Sequence, residues 1–297
     1  MLSLCIIGES GQVAQSLASK ASDDVRIVTV PRSVIDLAQT DTLKDKIAAV
    51  IRAGGPFDAV VNAAAYTAVD KAEEEEALAT KVNGTAPGLM AEVCADAGLP
   101  FLHISTDYVF SGDKETPYLE TDETGPTGAY GRSKLAGEKA VMAADGHAFI
   151  GRTAWVHSAT GHNFVKTMLR LREKEVLGVV ADQLGNPTSS DDIADALISV
   201  AGRMKEGASG GIYHLAGTGS TSWHGFAEAV FEIAERLDGG ARPMVNAITS
   251  AEFPTPAKRP ANSRLDCSRL QEDFGVVMPY WRSSLADCIR TLFGREA

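Results

Sequence analysis

A chain of 297 residues, 44% hydrophobic and 23% charged, is long enough for one large or two moderate units with a buried core. Its 28 basic and 39 acidic residues leave a formal charge of −11, which argues against nucleic-acid or anionic-membrane partners bound through bulk charge, though not against an anion held at a helix N-terminus. Four dispersed cysteines without a CxxC pair, a start ("MLSLCIIGESG") lacking signal-peptide features and no apolar run of membrane-spanning length together predict a cytoplasmic protein without disulfides.

Apolar runs and amphipathic segments alternate through the first half. Strands are predicted at 2–8, 25–30, 58–64, 100–107 and 147–156, and helices at 13–21, 43–54, 74–98 (interrupted near Pro87) and 133–144. Strands apolar on both faces, alternating with helices, predict an α/β fold with a doubly wound parallel sheet of the Rossmann kind. The second half is less regular. Helices are expected at 163–175, 191–204 and 223–237, a strand at 176–182, and a Pro-rich loop over "SAEFPTPAKRPANSRLD". This reading gives a dinucleotide-binding domain over 1–155, completed by segments near 176–205. A smaller α/β substrate-binding domain, interleaved with the first, would occupy most of 156–297.

"GESGQV" places Gly8 and Gly11 after the first strand and at the start of a helix, where a pyrophosphate needs close backbone approach and a helix N-terminus. Ala14 takes the slot of the third glycine and is small enough for it. Where NAD binders often carry an acidic residue, after the second strand, this chain has Pro31, Arg32 and Ser33. An arginine there suits a 2′-phosphate, so NADPH is expected over NADH, with NADH left open. Asp36 and Leu37 follow, near the adenine. "NAAAYTAVDKAE" ends a strand with Ala63, Ala64 and Ala65, small enough for a ligand to press on the backbone.

"HISTDYVFSG" puts Ser105, Thr106 and Asp107 at a strand's carboxyl end, and "GAYGRSKLAGEK" sets Tyr130 one helical turn before Lys134. A phenol keeps its proton at neutral pH, and a nearby ammonium makes that proton easier to give. With the glycine turn, the "NAAA" strand end and the Thr106 hydroxyl, the pair reads as proton-transfer machinery for carbonyl reduction. Six scattered histidines form no HExxH or His/Cys cluster, so no catalytic metal is expected; a divalent ion at a subunit contact is left open. The Glu73–Glu76 run is taken as a solvated face that complements a helix start.

Over essentially its whole length the chain resembles the extended short-chain dehydrogenase/reductases, and within them the reductases of nucleotide-linked 4-keto-6-deoxy sugars. The segments that carry this resemblance include "VVNAAAYTAVDKAE", "ISTDYVFSG", "PTGAYGRSKLAGEKAV", "GRTAWVH", "DQLGNPT" and "KRPANSRLD". The resemblance implies a catalytic set of Thr106, Tyr130 and Lys134, with hydride delivered to C4 of the sugar and a proton from Tyr130. It implies cofactor contacts at Gly11, Gln12, Val13, Asp36, Leu37 and Ala63–Ala65, beside Gly8, Arg32, Tyr130 and Lys134. Substrate contacts would come from Thr106, Asp107 and Trp155, with Asn163, Gln183 and Arg259 as polar candidates, Arg259 for the diphosphate. Related dehydratases follow the threonine with Asp-Glu; Asp107-Tyr108 here favours reduction. A related reductase, a 4-epimerase, a regulatory subunit that keeps only the cofactor fold, and a homodimer all remain open at this point.

Overall fold

In the computed structural model, which describes residues 1–295, the first half runs β1 (Leu2–Ile7), α1 (Gln12–Ser19), β2 (Val25–Val30), α2 (Leu43–Gly54), β3 (Ala59–Asn62), α3 (Glu76–Thr80), α4 (Ala86–Asp96), β4 (Phe101–Thr106), α5 (Ala129–Ala143) and β5 (Ala148–Thr153). The second half continues β6 (Val156–His157), α6 (Phe164–Leu171), β7 (Val176–Val180), β8 (Leu184–Gly185), β9 (Thr188–Ser189), α7 (Ser190–Lys205), β10 (Gly211–His214), β11 (Thr221–Ser222), α8 (Trp223–Asp238), β12 (Met244–Ile248), α9 (Ser268–Phe274) and α10 (Trp281–Leu292).

Six strands form one all-parallel sheet in the order β2-β1-β3-β4-β5-β10. Alternation along each strand builds a core on either face. Leu4 and Ile6 of β1, Val61, Leu102 and Phe149 meet Leu17 of α1 and Ile193 and Leu197 of α7. Cys5, Ile7, Val60, Phe101 and Ile150 meet Ile47 of α2, Met90 of α4 and Val141 of α5. Each buried aliphatic side chain is worth roughly 1.5–3 kcal/mol. A one-residue slip of any strand would exchange the two sets, so the register is firmly set. Strand order reverses between β1 and β3, which opens a crevice at their carboxyl ends, where open α/β sheets bind ligands.

The second half packs α6, α8 and α10 around Val165, Phe226, Phe231 and Leu285, beside the parallel pair β7–β12. The segments completing the main sheet differ from the sequence reading. Helix α7 covers it, but the sixth strand is β10, beyond residue 205, while β7 pairs with β12. The irregularity foreseen near Pro87 lies just before it, as a π turn over Lys81–Thr85. Proline lacks an N–H for the carbonyl four residues back, and its ring crowds that carbonyl, so the preceding turn widens. Among the described residues no helix is long and apolar enough to cross a membrane.

Candidate active site

The crevice begins at Gly8, whose φ of +121° an L side chain rarely adopts and where a Cβ would stand 3.3 Å from the Ala64 nitrogen. Gly11 is the N-cap of α1 and offers no capping side chain, which leaves first-turn N–H groups free for an anion. Ala63 is bonded to the end of β1, its nitrogen donating to the Ile7 carbonyl at 3.0 Å. A bare backbone turn, an uncapped helix start and small facing residues fit a dinucleotide pyrophosphate. Val13 and Leu37 are buried in the two cores. The Gln12 amide oxygen accepts from Asn163 Nδ2 at 2.9 Å and from Ser158 Oγ at 3.0 Å, which ties the helix start to the second half. Arg32, 81% exposed, lies 3.3 Å from Asp36. The Ala38 N–H, helped by Arg32, holds the Asp36 carboxyl below its usual range against the opposing effect of burial.

Catalytic candidates converge where β4 ends and α5 begins. Thr106 caps the short turn after β4, accepting from the Tyr108 nitrogen at 3.3 Å while its hydroxyl donates to Asp107 Oδ1 at 2.8 Å. Helix α5 lies directly on that turn. At Gly131 a Cβ would stand 2.2 Å from the Tyr108 carbonyl, so glycine is required for Tyr130 to sit here. The acidic run was expected to be a solvated face at its own helix start; two of its members instead reach α5, 56 residues away. Glu73 accepts from the Ala129 nitrogen at 2.9 Å, capping α5, and Glu76 takes both Nε and Nη2 of Arg132 at 2.7 and 2.8 Å. Asn83 fastens α5 to the loop after β3, its Nδ2 reaching Ser133 Oγ at 3.0 Å and the Tyr66 carbonyl at 2.9 Å.

Burial, then the Asp107 charge, raises the Tyr130 phenol, with the Thr106 hydroxyl pulling the other way; Tyr130 therefore carries its proton at neutral pH. Lys134 is 2% exposed, and burial brings its ammonium down to about 8 against the Glu138 charge. Its Nζ donates to the Ile104 carbonyl at 2.7 Å and lies 3.2 Å from His103 Nε2. Asp107 is buried, with Oδ2 lacking a partner among the described residues, and burial raises its carboxyl to about 6.

That shift is a stability statement. The native state holds the Asp107 proton above the ordinary 3.8, so stability falls as pH rises from about 4 to about 6, by on the order of 3 kcal/mol. Asp107→Asn is therefore expected to unfold at higher urea than the unaltered protein at pH 8 and to lose that advantage at pH 4. An equal difference at both pH values would contradict the assignment.

Trp155 follows β5 with φ +48°, a strained conformation for a bulky residue and one that clusters at functional sites. Its indole stacks on Trp223, centroids 3.7 Å apart and planes at 11°. Arg259 Nη2 pairs with Asp70 at 2.7 Å and Nη1 donates to Tyr108 Oη at 3.1 Å; the Tyr108 ring meets Tyr130 edge-on at 5.5 Å. Arg259 thus reaches Tyr130 through one ring. Asn163 and Gln183 have local partners: Asn163 caps α6 through the Lys166 nitrogen at 3.1 Å, and Gln183 donates to Ser250 Oγ at 2.9 Å. Asn62, His103, Glu138 and Arg152 are not among the residues singled out in the sequence, and all are buried where α5 meets the sheet. Their signal is polarity inside strands and a helix that are otherwise core-facing. Among the described residues no group of three or more His, Cys, Asp or Glu is placed to hold a metal ion.

The family described as RmlD substrate binding domain matches residues 2–293. A dTDP-4-dehydrorhamnose reductase of Sinorhizobium fredii is 48% identical, covering 99% of each chain. Among solved structures, a dTDP-4-dehydrorhamnose reductase of Clostridium acetobutylicum superposes with a TM-score of 0.89 at 34% identity over 98% of this chain and all of its own. One from Bacillus anthracis, in complex with NADP, does so at 0.88 and 31%, with the same coverage. The doubly wound sheet, the glycine cradle and these matches along nearly the whole length agree, and the chain belongs to the RmlD family of dTDP-4-dehydrorhamnose reductases.

Proposed function

We propose that this chain reduces the C4 keto group of dTDP-4-dehydro-L-rhamnose to dTDP-L-rhamnose with NADPH as reductant. The observation that carries the reading is the convergence of Thr106, Tyr130 and Lys134 beside the Gly8–Gly11 cradle, in a chain whose relatives bear that activity in their names. Residues 1–155, with α7 and β10, form the cofactor half; the rest, with α6, α8 and α10, form the substrate half.

Gly8, Gly11, Gln12, Val13 and Ala63–Ala65 would hold the dinucleotide, with Asp36 and Leu37 near its adenine and Lys134 near the nicotinamide ribose. NADPH, when bound, supplies the hydride for C4. Tyr130 gives its phenolic proton to the oxygen that becomes the C4 hydroxyl: its O–H bond breaks as the new one forms, and the phenolate is stabilised by Lys134. Thr106 orients the carbonyl oxygen. Asp107, Trp155 and Arg259 border the sugar nucleotide, with Arg259 exchanging Asp70 for a diphosphate oxygen. Asn163 and Gln183 support the pocket wall through the partners described above.

Purified protein is expected to consume NADPH when given dTDP-4-dehydro-L-rhamnose. Tight NADPH binding without consumption would mark a regulatory protein instead. At the adenosine end, Arg32→Ala removes the exposed guanidinium that suits a 2′-phosphate. It is expected to raise the Kd for NADPH about tenfold, the loss of one charge-assisted hydrogen bond, and to leave NADH nearly unchanged. Equal weakening of both would contradict the role.

A further inference from the structure

Behind Lys134 a hydrogen-bond chain runs into the sheet, and its polarity can be read from one unambiguous donor. The Ala64 backbone N–H donates to Asn62 Oδ1 at 3.1 Å. That fixes the Asn62 amide, whose Nδ2 then faces His103 Nδ1 at 3.1 Å. An amide nitrogen only donates, so His103 Nδ1 must be bare, and a neutral imidazole then carries its proton on Nε2. His103 Nε2 lies 3.2 Å from Lys134 Nζ. A donor at Nε2 opposes an ammonium but suits an amine, whose lone pair can accept. The reverse arrangement needs a proton on His103 Nδ1, and that requires Asn62 to turn its amide against the Ala64 N–H.

We propose that His103, held by Asn62 with its proton on Nε2, is a positioning residue that eases the loss of a proton from the Lys134 ammonium. The His103 ring is fully buried and stacked on Phe101, centroids 6.2 Å apart, so it cannot rotate away without disturbing the core. Other ionisable groups around the pair act in known directions. On α5, Glu138 favours the ammonium, but its charge is taken up by Arg152 of β5 through two bonds of 2.9 and 2.7 Å. Tyr130 stands one turn before Lys134 on α5, and Asp107 acts on Tyr130 from the turn after β4. Burial and the lysine charge keep His103 neutral.

The inference rests on the proposed reaction for its consequence. After Tyr130 has given its proton away, Lys134 can return one: an N–H bond breaks, the phenolic O–H reforms, and the remaining amine accepts from His103 Nε2–H. The lysine regains its proton from solvent.

The test begins with the tautomer, which is independent of activity. Long-range ¹H–¹⁵N spectra of the labelled full chain, with His103 assigned by comparison with His103→Phe, are expected to show the proton on Nε2. A proton on Nδ1, or on both nitrogens, overturns the proposal whether or not the protein reduces the sugar. Asn62→Asp then reverses the chain, because a carboxylate facing Nδ1 can only accept. Its expected result is an Nδ1–H imidazole, together with an alkaline limb of the kcat–pH profile moved up by about one unit or more, the shift expected when an acceptor replaces a donor at a buried ammonium. An unmoved limb with the tautomer changed would also overturn it.

Discussion

Tyr130→Phe is expected to lower kcat by about 10²–10⁴, the range general acid catalysis supplies, with little change in NADPH affinity. The phenylalanine ring keeps the edge-on contact with Tyr108, 5.5 Å between centroids, and leaves the Gly131 contact under α5 untouched, so the fold is not at issue. Only the proton is lost. Burial makes this proton available across the whole neutral range, so activity should not be restored by lowering the pH. Stopped-flow turnover with a separate cofactor titration checks it. Near-normal turnover, or equal losses in turnover and cofactor affinity, would remove Tyr130 from its role.

The largest expected effect on stability lies two helical turns further along α5. Glu138 and Arg152 are each 3% exposed in their side chains and paired, and Ser105 Oγ also donates to Glu138 Oε1 at 2.6 Å. This cluster joins α5 to β4 and β5 beneath the site. Removing one partner strands a buried charge, typically at a cost of about 3–5 kcal/mol, whereas replacing both by apolar groups is often neutral. Arg152→Met is therefore expected to lower the urea midpoint severely, and Arg152→Met with Glu138→Leu to recover most of the loss. Additive losses in the double variant would mean that the two side chains act separately.

The sheet and the cradle were legible because they rest on local chemistry: continuous apolar strands, glycines at a strand-to-helix turn, alanines at a strand end. The Tyr130–Lys134 pair was legible only in company, and the family resemblance gave it direction. What escaped was pairing at a distance. Asn62 to His103 spans 41 residues and His103 to Lys134 spans 31. Strand alternation does place Phe101, His103 and Ser105 on one face of β4, but nothing local names the partner waiting on α5. The reach of Glu73 to the start of α5 escaped for the same reason. In the second half, two-residue strands such as β6, β8 and β9 carry no periodicity to read. The sequence reading places no helix after residue 237, where α9 and α10 stand. The buried positions of α10, Trp281, Ser284, Leu285, Cys288 and Ile289, follow helical spacing, but serine in an apolar slot blunts the pattern.

In the proposed reaction the carbonyl at C4 receives hydride from the nicotinamide while Tyr130 supplies the proton. Its most direct test follows the label from NADPH deuterated at the transferable position into the product formed from dTDP-4-dehydro-L-rhamnose. One deuterium at C4 of dTDP-L-rhamnose, in a single configuration, is expected for each NADPH consumed. Product formed without deuterium at C4, or sugar released with no net consumption of NADPH, would contradict it.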